Sequence, residues 1–316
     1  MLFALMAVLV GLFLLTKAAD SFVEGAVRLA AALRVSPVII GAVIVGFGTS
    51  APELLVSGLA AAGGNLDIAV GNIVGSNIAN LSLVLGVASA IAGISIDSSI
   101  LRREVPLAAG AALLFAGLLV GGLSRLDGLA LLVVLVAALA WLIRGARSSG
   151  NDELTAEIDE ELHPSVPHRT GVEAVRTVLG LAGTIAGAQL LVTGAVRAAQ
   201  ELGVSQAFIG LTLVAVGTSL PELVTAIVAA RKGAHDLIVG NVLGSNVFNS
   251  LAVGGIAAAV GPGPLGDAAV AARAVAVMIV VTGLAVVALA TCHGLRRREG
   301  IALVVVYALT IPLLAV

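Results

Sequence analysis

Two segments decide the fold: Gly48-Thr49-Ser50-Ala51-Pro52-Glu53-Leu54 and Gly217-Thr218-Ser219-Leu220-Pro221-Glu222-Leu223. They carry one motif twice, 169 residues apart. A second pair keeps the same offset: Gly71-Asn72-Ile73-Val74-Gly75-Ser76-Asn77-Ile78-Ala79-Asn80 and Gly240-Asn241-Val242-Leu243-Gly244-Ser245-Asn246-Val247-Phe248-Asn249. Upstream, Gly25-Ala26-Val27-Arg28 aligns with Gly194-Ala195-Val196-Arg197 in that register. The chain is an internal duplication.

The duplicated unit is a membrane unit. Of 316 residues, 59% are hydrophobic and 11% are charged; a soluble domain carries about 25% charge. Ten apolar stretches lie near residues 2–33, 36–62, 68–93, 105–122, 127–144, 172–201, 206–230, 237–260, 270–292 and 299–316. Runs of this length read as spans, and the backbone must satisfy itself in lipid, so helices are predicted. Residues 1–16 lack a basic leader and read as the start of the first span. Five spans per copy make the second copy enter from the opposite side. The predicted architecture is an all-α integral membrane protein of ten transmembrane helices in two inverted five-helix repeats, residues 1–144 and 172–316, joined by a hydrophilic loop, 145–171. Inverted repeats place a substrate site at their interface near the midplane.

The basic residues orient the chain. With the N-terminus outside, inner segments hold Arg28, Arg34, Arg102, Arg103, Arg144, Arg147, Arg169, Arg176, Arg231, Lys232, Arg296, Arg297 and Arg298, and outer loops hold Arg125, Arg197 and Arg273. This bias predicts external termini and a cytoplasmic 145–171 loop, in the plasma (inner) membrane. The loop carries Asp152, Glu153, Glu157, Asp159, Glu160 and Glu161 but no EF-hand spacing, and reads as a solvated linker between repeats. A net charge of −2 excludes a nucleic-acid footprint. The single cysteine, Cys292, excludes an intramolecular disulfide and a thiolate cluster.

Most acidic residues lie in loops or near span ends; Glu53 and Glu222 fall inside the second and seventh spans. A charge at that depth costs about 2.5–3.5 kcal/mol on insertion scales, which makes it a functional hypothesis by default. Pro52 and Pro221 lack an N–H and clash with the carbonyl four residues back, and Gly46, Gly48 and Gly217 weaken the same turns. A break is therefore predicted at Thr49-Ser50 and Thr218-Ser219. It frees carbonyls, those of Gly46 and Ala215, to line a cavity beside the hydroxyls of Thr49, Ser50, Thr218 and Ser219. In the third and eighth spans Asn72, Ser76 and Asn80, and Asn241, Ser245 and Asn249, recur every four residues along one helix stripe. This ligand set is all oxygen, with the four histidines in loops or at span ends. Hard oxygen ligands suit Ca²⁺, Mg²⁺ or Na⁺. Two carboxylates neutralise one Ca²⁺ or hold two or three monovalent ions, and competition between these loads gives antiport.

The doubled G-T-S-x-P-E-L and G-N-x-x-G-S-N motifs resemble the paired alpha repeats of the cation/calcium exchanger superfamily, near its prokaryotic sodium/calcium antiporters. The resemblance covers essentially the whole chain. It implies Glu53 and Glu222 as central Ca²⁺ and Na⁺ ligands. Thr49, Ser50, Thr218 and Ser219 would complete flanking Na⁺ sites, and Ser76, Asn80, Ser245 and Asn249 would line the centre. It also implies alternating access, with the first and sixth helices sliding past the other eight. Potassium-dependent relatives carry Asp at the position of Asn249; Asn here makes potassium dependence unexpected. No enzyme activity, cofactor or obligatory protein partner is expected; Ca²⁺ and Na⁺ are the substrates and the bilayer is the surroundings. The alternatives are a Ca²⁺/H⁺ antiporter using the same glutamates, a passive cation channel, and an intramembrane hydrolase using Ser50 or Ser219. The last lacks a His or Lys base deep in a span.

Overall fold

The computed structural model describes residues 1–33, 35, 37–96, 98–148, 170–202, 215–266, 268–292 and 294–315. Most of the predicted 145–171 loop and the first half of the seventh span lie outside the described residues. Helix occupies part of all ten predicted stretches. Six helices are long and apolar enough to cross a bilayer, and the bent pair Val38–Thr49 with Ala51–Ala62 makes a seventh. The helices Glu104–Leu118, Leu220–Arg231 and Arg297–Ala315 occupy the other three stretches. Two short strands, Ile94–Ser95 and Gly294–Leu295, pair antiparallel and tie the end of the third span to the start of the tenth.

Burial separates the spans into two kinds. In the third (Leu66–Ala92) and eighth (His235–Val260), 72% and 89% of the apolar window is buried, against 22–28% in the other four long helices. The third and eighth spans are the centre of the molecule, and they carry the second repeated motif. Each contains one π-helical turn, Asn80–Val84 and Asn249–Val253, at the same 169-residue offset. Such turns widen the helix and cluster at functional positions. The first half of the second span lies on the eighth with backbone against backbone: a Cβ on Gly240 would sit 2.3 Å from the Val38 carbonyl oxygen, and one on Gly244 2.4 Å from that of Ala42. Only glycine permits that approach.

The first and sixth spans, Leu2–Leu33 and Thr170–Glu201, are each 32 residues long and pack antiparallel along their length. Their seam is built on a seven-residue repeat of small residues: Ala4, Gly11, Ala18 and Gly25 on one helix, Gly180, Gly187 and Gly194 on the other. A Cβ on Gly187 would meet the Leu15 backbone nitrogen at 2.5 Å, and one on Gly180 the Phe22 Cα at 2.7 Å. Charges close both ends of this pair. At the loop face Arg28 lies 2.6 Å from Glu24 and 3.8 Å from Glu173, and Arg176 lies 3.1 Å from Glu24 and 3.5 Å from Glu173. At the face of the termini the Met1 amino group pairs with Glu201, which also lies 3.5 Å from Arg197. Arg197 stacks over Phe3, 5.0 Å from its ring centre. Gly187→Ala forces these backbones apart; overpacking of this kind costs about 1–3 kcal/mol. We expect a lower unfolding temperature in detergent, with Gly283→Ala, which meets nothing within 4 Å, as the neutral control.

Candidate ion-binding site

Both motif segments break where their prolines require it. Ser50 (φ −80°, ψ 4°) and Ser219 (φ −89°, ψ 8°) leave helical geometry, and the second span bends by 44° at the first of them. Pro52 and Pro221 then fall in the opening turn of a new helix, where a missing N–H removes no bond. Glu53 and Glu222 lie in the same turns, so backbone N–H dipoles point toward each carboxylate. The predicted break is therefore present in both repeats.

The structure brings the candidate residues together across the repeat interface. The Glu53 carboxylate faces the hydroxyls of Ser219 and Ser76 and couples electrostatically to Glu222; the Glu222 carboxylate faces Thr49 and Ser50. The helix bearing Glu53 packs on the π-turn that begins at Asn249, and the helix bearing Glu222 on the π-turn that begins at Asn80. Glu53 and Glu222 are 1% and 0% exposed. Thr49, Ser50, Ser76, Asn80, Ser219, Asn241, Ser245 and Asn249 are also buried, whereas Thr218 is half-buried.

The decisive property of this centre is what its oxygens lack. Both carboxylate oxygens of Glu53 and of Glu222, the hydroxyls of Ser50 and Ser219, and the amide atoms of Asn80 and Asn249 have no hydrogen-bond partner. Each member of this set has its mate at the 169-residue offset. Protein interiors leave few buried polar atoms unpaired, and unpaired buried carboxylates are the most unfavourable of all. A twofold-related set of orphaned oxygens is a site shaped for a cation. Among the described residues no group of three or more His, Cys, Asp or Glu could hold a metal ion, so the donors are mainly hydroxyl and amide oxygens around two carboxylates.

One detail differs from the sequence expectation. The Gly46 carbonyl is engaged: it accepts from the Ser50 N–H at 3.2 Å and from the Ser245 hydroxyl at 3.3 Å. Its two lone pairs are filled because the eighth span packs so closely that Ser245 reaches across. Ala215 opens the short helix Ala215–Thr218. Asn72 acts as a brace: its amide donates to the Ser57 hydroxyl at 3.0 Å and to the Glu53 carbonyl at 3.4 Å, on the helix that carries Glu53. Asn77 and Asn246 were legible only as motif letters. They interlock the central spans, Asn77 donating to the Ser250 hydroxyl at 3.0 Å and Asn246 to the Asn77 carbonyl at 3.3 Å.

Among the described residues, a cavity approaches the site from the face of the termini. Its volume is about 660 Å³, and it reaches from Gln200 and Arg197, near the termini, to Gly217, Thr218, Pro221 and Pro52 beside the two carboxylates. Toward the loop face, Thr49 Oγ1 lies 2.9 Å from the Val45 carbonyl oxygen, 3.2 Å from Asn241 Oδ1 and 3.4 Å from Ser245 Oγ. The sixth span covers both breaks: Leu181 lies over Gly48 and Val192 over Gly217.

A duplicated, inverted membrane fold with an oxygen-lined centre between two broken helices is the framework of a secondary transporter. The chain belongs to the sodium/calcium exchanger protein family, which it matches over residues 3–144 and 173–315. It is 44% identical to a putative antiporter CaxA of Alkalimonas amylolytica over 300 residues, covering 94% of this chain and 93% of that one. It is 29% identical to the sodium/calcium exchanger MaX1 of Methanosarcina acetivorans, covering 95% of each. The solved structure of the sodium/calcium exchanger from Methanococcus jannaschii superposes with a TM-score of 0.85 at 30% identity, over 98% of both chains.

Proposed function

We propose that this protein exchanges Ca²⁺ for Na⁺ across the plasma membrane by alternating access. Its termini are external, and the 145–171 loop is the cytoplasmic link between repeats 1–144 and 172–316. The observation that carries the reading is the twofold-related set of unpaired buried oxygens. Four carboxylate oxygens, two hydroxyls and two amide oxygens suit a cation that takes 6–8 oxygens in irregular geometry, which describes Ca²⁺. The two carboxylates carry two negative charges. One Ca²⁺ or two Na⁺ cancels them, and the loaded centre then crosses neutral. The empty centre carries both charges into a low-dielectric region, which is strongly unfavourable. Thr49, Ser50, Thr218 and Ser219 flank the carboxylates and are assigned to the Na⁺-loaded state; Ser76, Asn80, Ser245 and Asn249 line the centre. The first and sixth spans, packed as one unit, move against the remaining helices. No protein partner or cofactor is assigned a part.

The test is radioactive Ca²⁺ uptake into vesicles containing the purified protein. We expect uptake when an outward Na⁺ gradient is imposed and little when a proton gradient replaces it. Uptake driven by protons alone would reassign the counter-ion to H⁺, and flux without any counter-ion gradient dependence would make the protein a channel.

A further inference from the structure

An ideal inverted repeat has no preferred side. If the two halves were identical, the state open at one face and the state open at the other would be related by the twofold axis and equal in free energy. Any bias must come from residues that break the symmetry and that also join the moving unit to the fixed one. The ion pairs Arg28–Glu24, Arg28–Glu173, Arg176–Glu24, Arg176–Glu173, Arg197–Glu201 and Met1–Glu201 all lie within the first and sixth spans, so they travel with that pair. Lys232 is different. It follows the helix Leu220–Arg231 of the surrounding core, and its Nζ lies 2.7 Å from Asp20 Oδ1 and 3.4 Å from the Asp20 carbonyl oxygen on the first span. The 169-residue offset maps Lys232 onto Gly63 and Asp20 onto Gln189. Neither offset position carries a charge, so the duplication supplies no counterpart of this pair at the opposite face.

We infer that Lys232 and Asp20 form a one-sided latch at the loop face that favours the conformation open toward the termini. The pair is made while the cavity opens at the face of the termini. A shift of the first span by about one helical turn, 5.4 Å, moves Asp20 away from Lys232. In one direction it offers Thr16 in place of Asp20; in the other it offers Glu24, which Arg28 and Arg176 already hold. The Lys232 and Asp20 side chains are 35% and 56% exposed, so solvent screens the attraction. An exposed pair of this kind shifts a two-state population by at most about five-fold.

This inference rests on the alternating-access reading, and the test separates the two. In a Cys292→Ser background, Thr193→Cys places a reporter in the lining of the cavity, and its labelling rate with a membrane-impermeant maleimide, in choline chloride without Ca²⁺ or Na⁺, reads how often that face is open. Lys232→Gln and Asp20→Asn are each expected to slow labelling two- to five-fold, and the exchange Asp20→Lys with Lys232→Asp to restore it. Unchanged labelling in both single variants, or slow labelling that the exchange leaves uncorrected, overturns the latch. Failure of the underlying reading is recognised in the reporter protein without latch substitutions: Ca²⁺ and Na⁺ then leave the labelling rate unmoved, and no counter-ion-driven flux is seen.

Discussion

Glu53→Gln and Glu222→Gln are each expected to reduce Na⁺-driven Ca²⁺ uptake by at least about 100-fold while leaving the protein folded. The substitution keeps the shape and removes one charge, so a bound Ca²⁺ leaves the centre with a net positive charge in a buried site, and such an imbalance costs several kcal/mol. Folding is spared, since the amide relieves the burial of an unpaired carboxylate: both oxygens of each glutamate lack partners. The ion-free variants should therefore melt at or above the temperature of the parent protein. Ca²⁺ should raise the melting temperature of the parent and not that of either variant, because a ligand stabilises only the state it binds. Parent-like uptake in either variant would remove the site assignment; a lower melting temperature without ions would show that the glutamates are structural.

Gly244→Ala is expected to lower Ca²⁺ uptake more than ten-fold from a position with no side-chain ligand atom. The added methyl would lie 2.4 Å from the Ala42 carbonyl oxygen and 2.5 Å from its Cα, and backbone cannot turn aside as a side chain can. The first half of the second span must move off the eighth. That strand of contacts includes Ser245 to Gly46 and Thr49 to Asn241, so the displacement reaches the turn that presents Ser50 and Glu53. Displacements of about 1 Å in a positioned site are enough to lose its function. We expect uptake to fall more than ten-fold, with Ca²⁺-induced thermal stabilisation weakened in parallel. Parent-like uptake in Gly244→Ala would show that the helices tolerate separation and that the close approach has no bearing on the site.

Much of this was legible because charge is rare in the chain. With 11% charged residues, two glutamates inside apolar spans stood out, and the 169-residue offset tied each to the same proline and hydroxyls. Proline chemistry located the breaks at Ser50 and Ser219, and the long helices Leu2–Leu33 and Thr170–Glu201 match the apolar stretches within two residues at each end. The π-turns were not legible. Asn80 and Asn249 follow an ordinary four-residue spacing, and each π-turn lies against the other central span, a contact that no local pattern shows. The engaged Gly46 carbonyl was missed for a related reason: the Ser50 N–H keeps its helical bond to it despite the break, and only the packing of the eighth span brings Ser245 as a second donor. The Lys232–Asp20 contact joins residues 212 apart in the chain, and no pattern in either neighbourhood announces it.

The cover over the two breaks has a consequence for coupling. Leu181 and Val192 sit on one helix, eleven residues and about 16 Å apart, over Gly48 and Gly217. In the proposed exchange, a slide of the sixth span moves both covers by the same distance and in the same direction, so neither shifts without the other. The two ends of the site are thus coupled by the stiffness of one helix, and no separate signal has to pass between them.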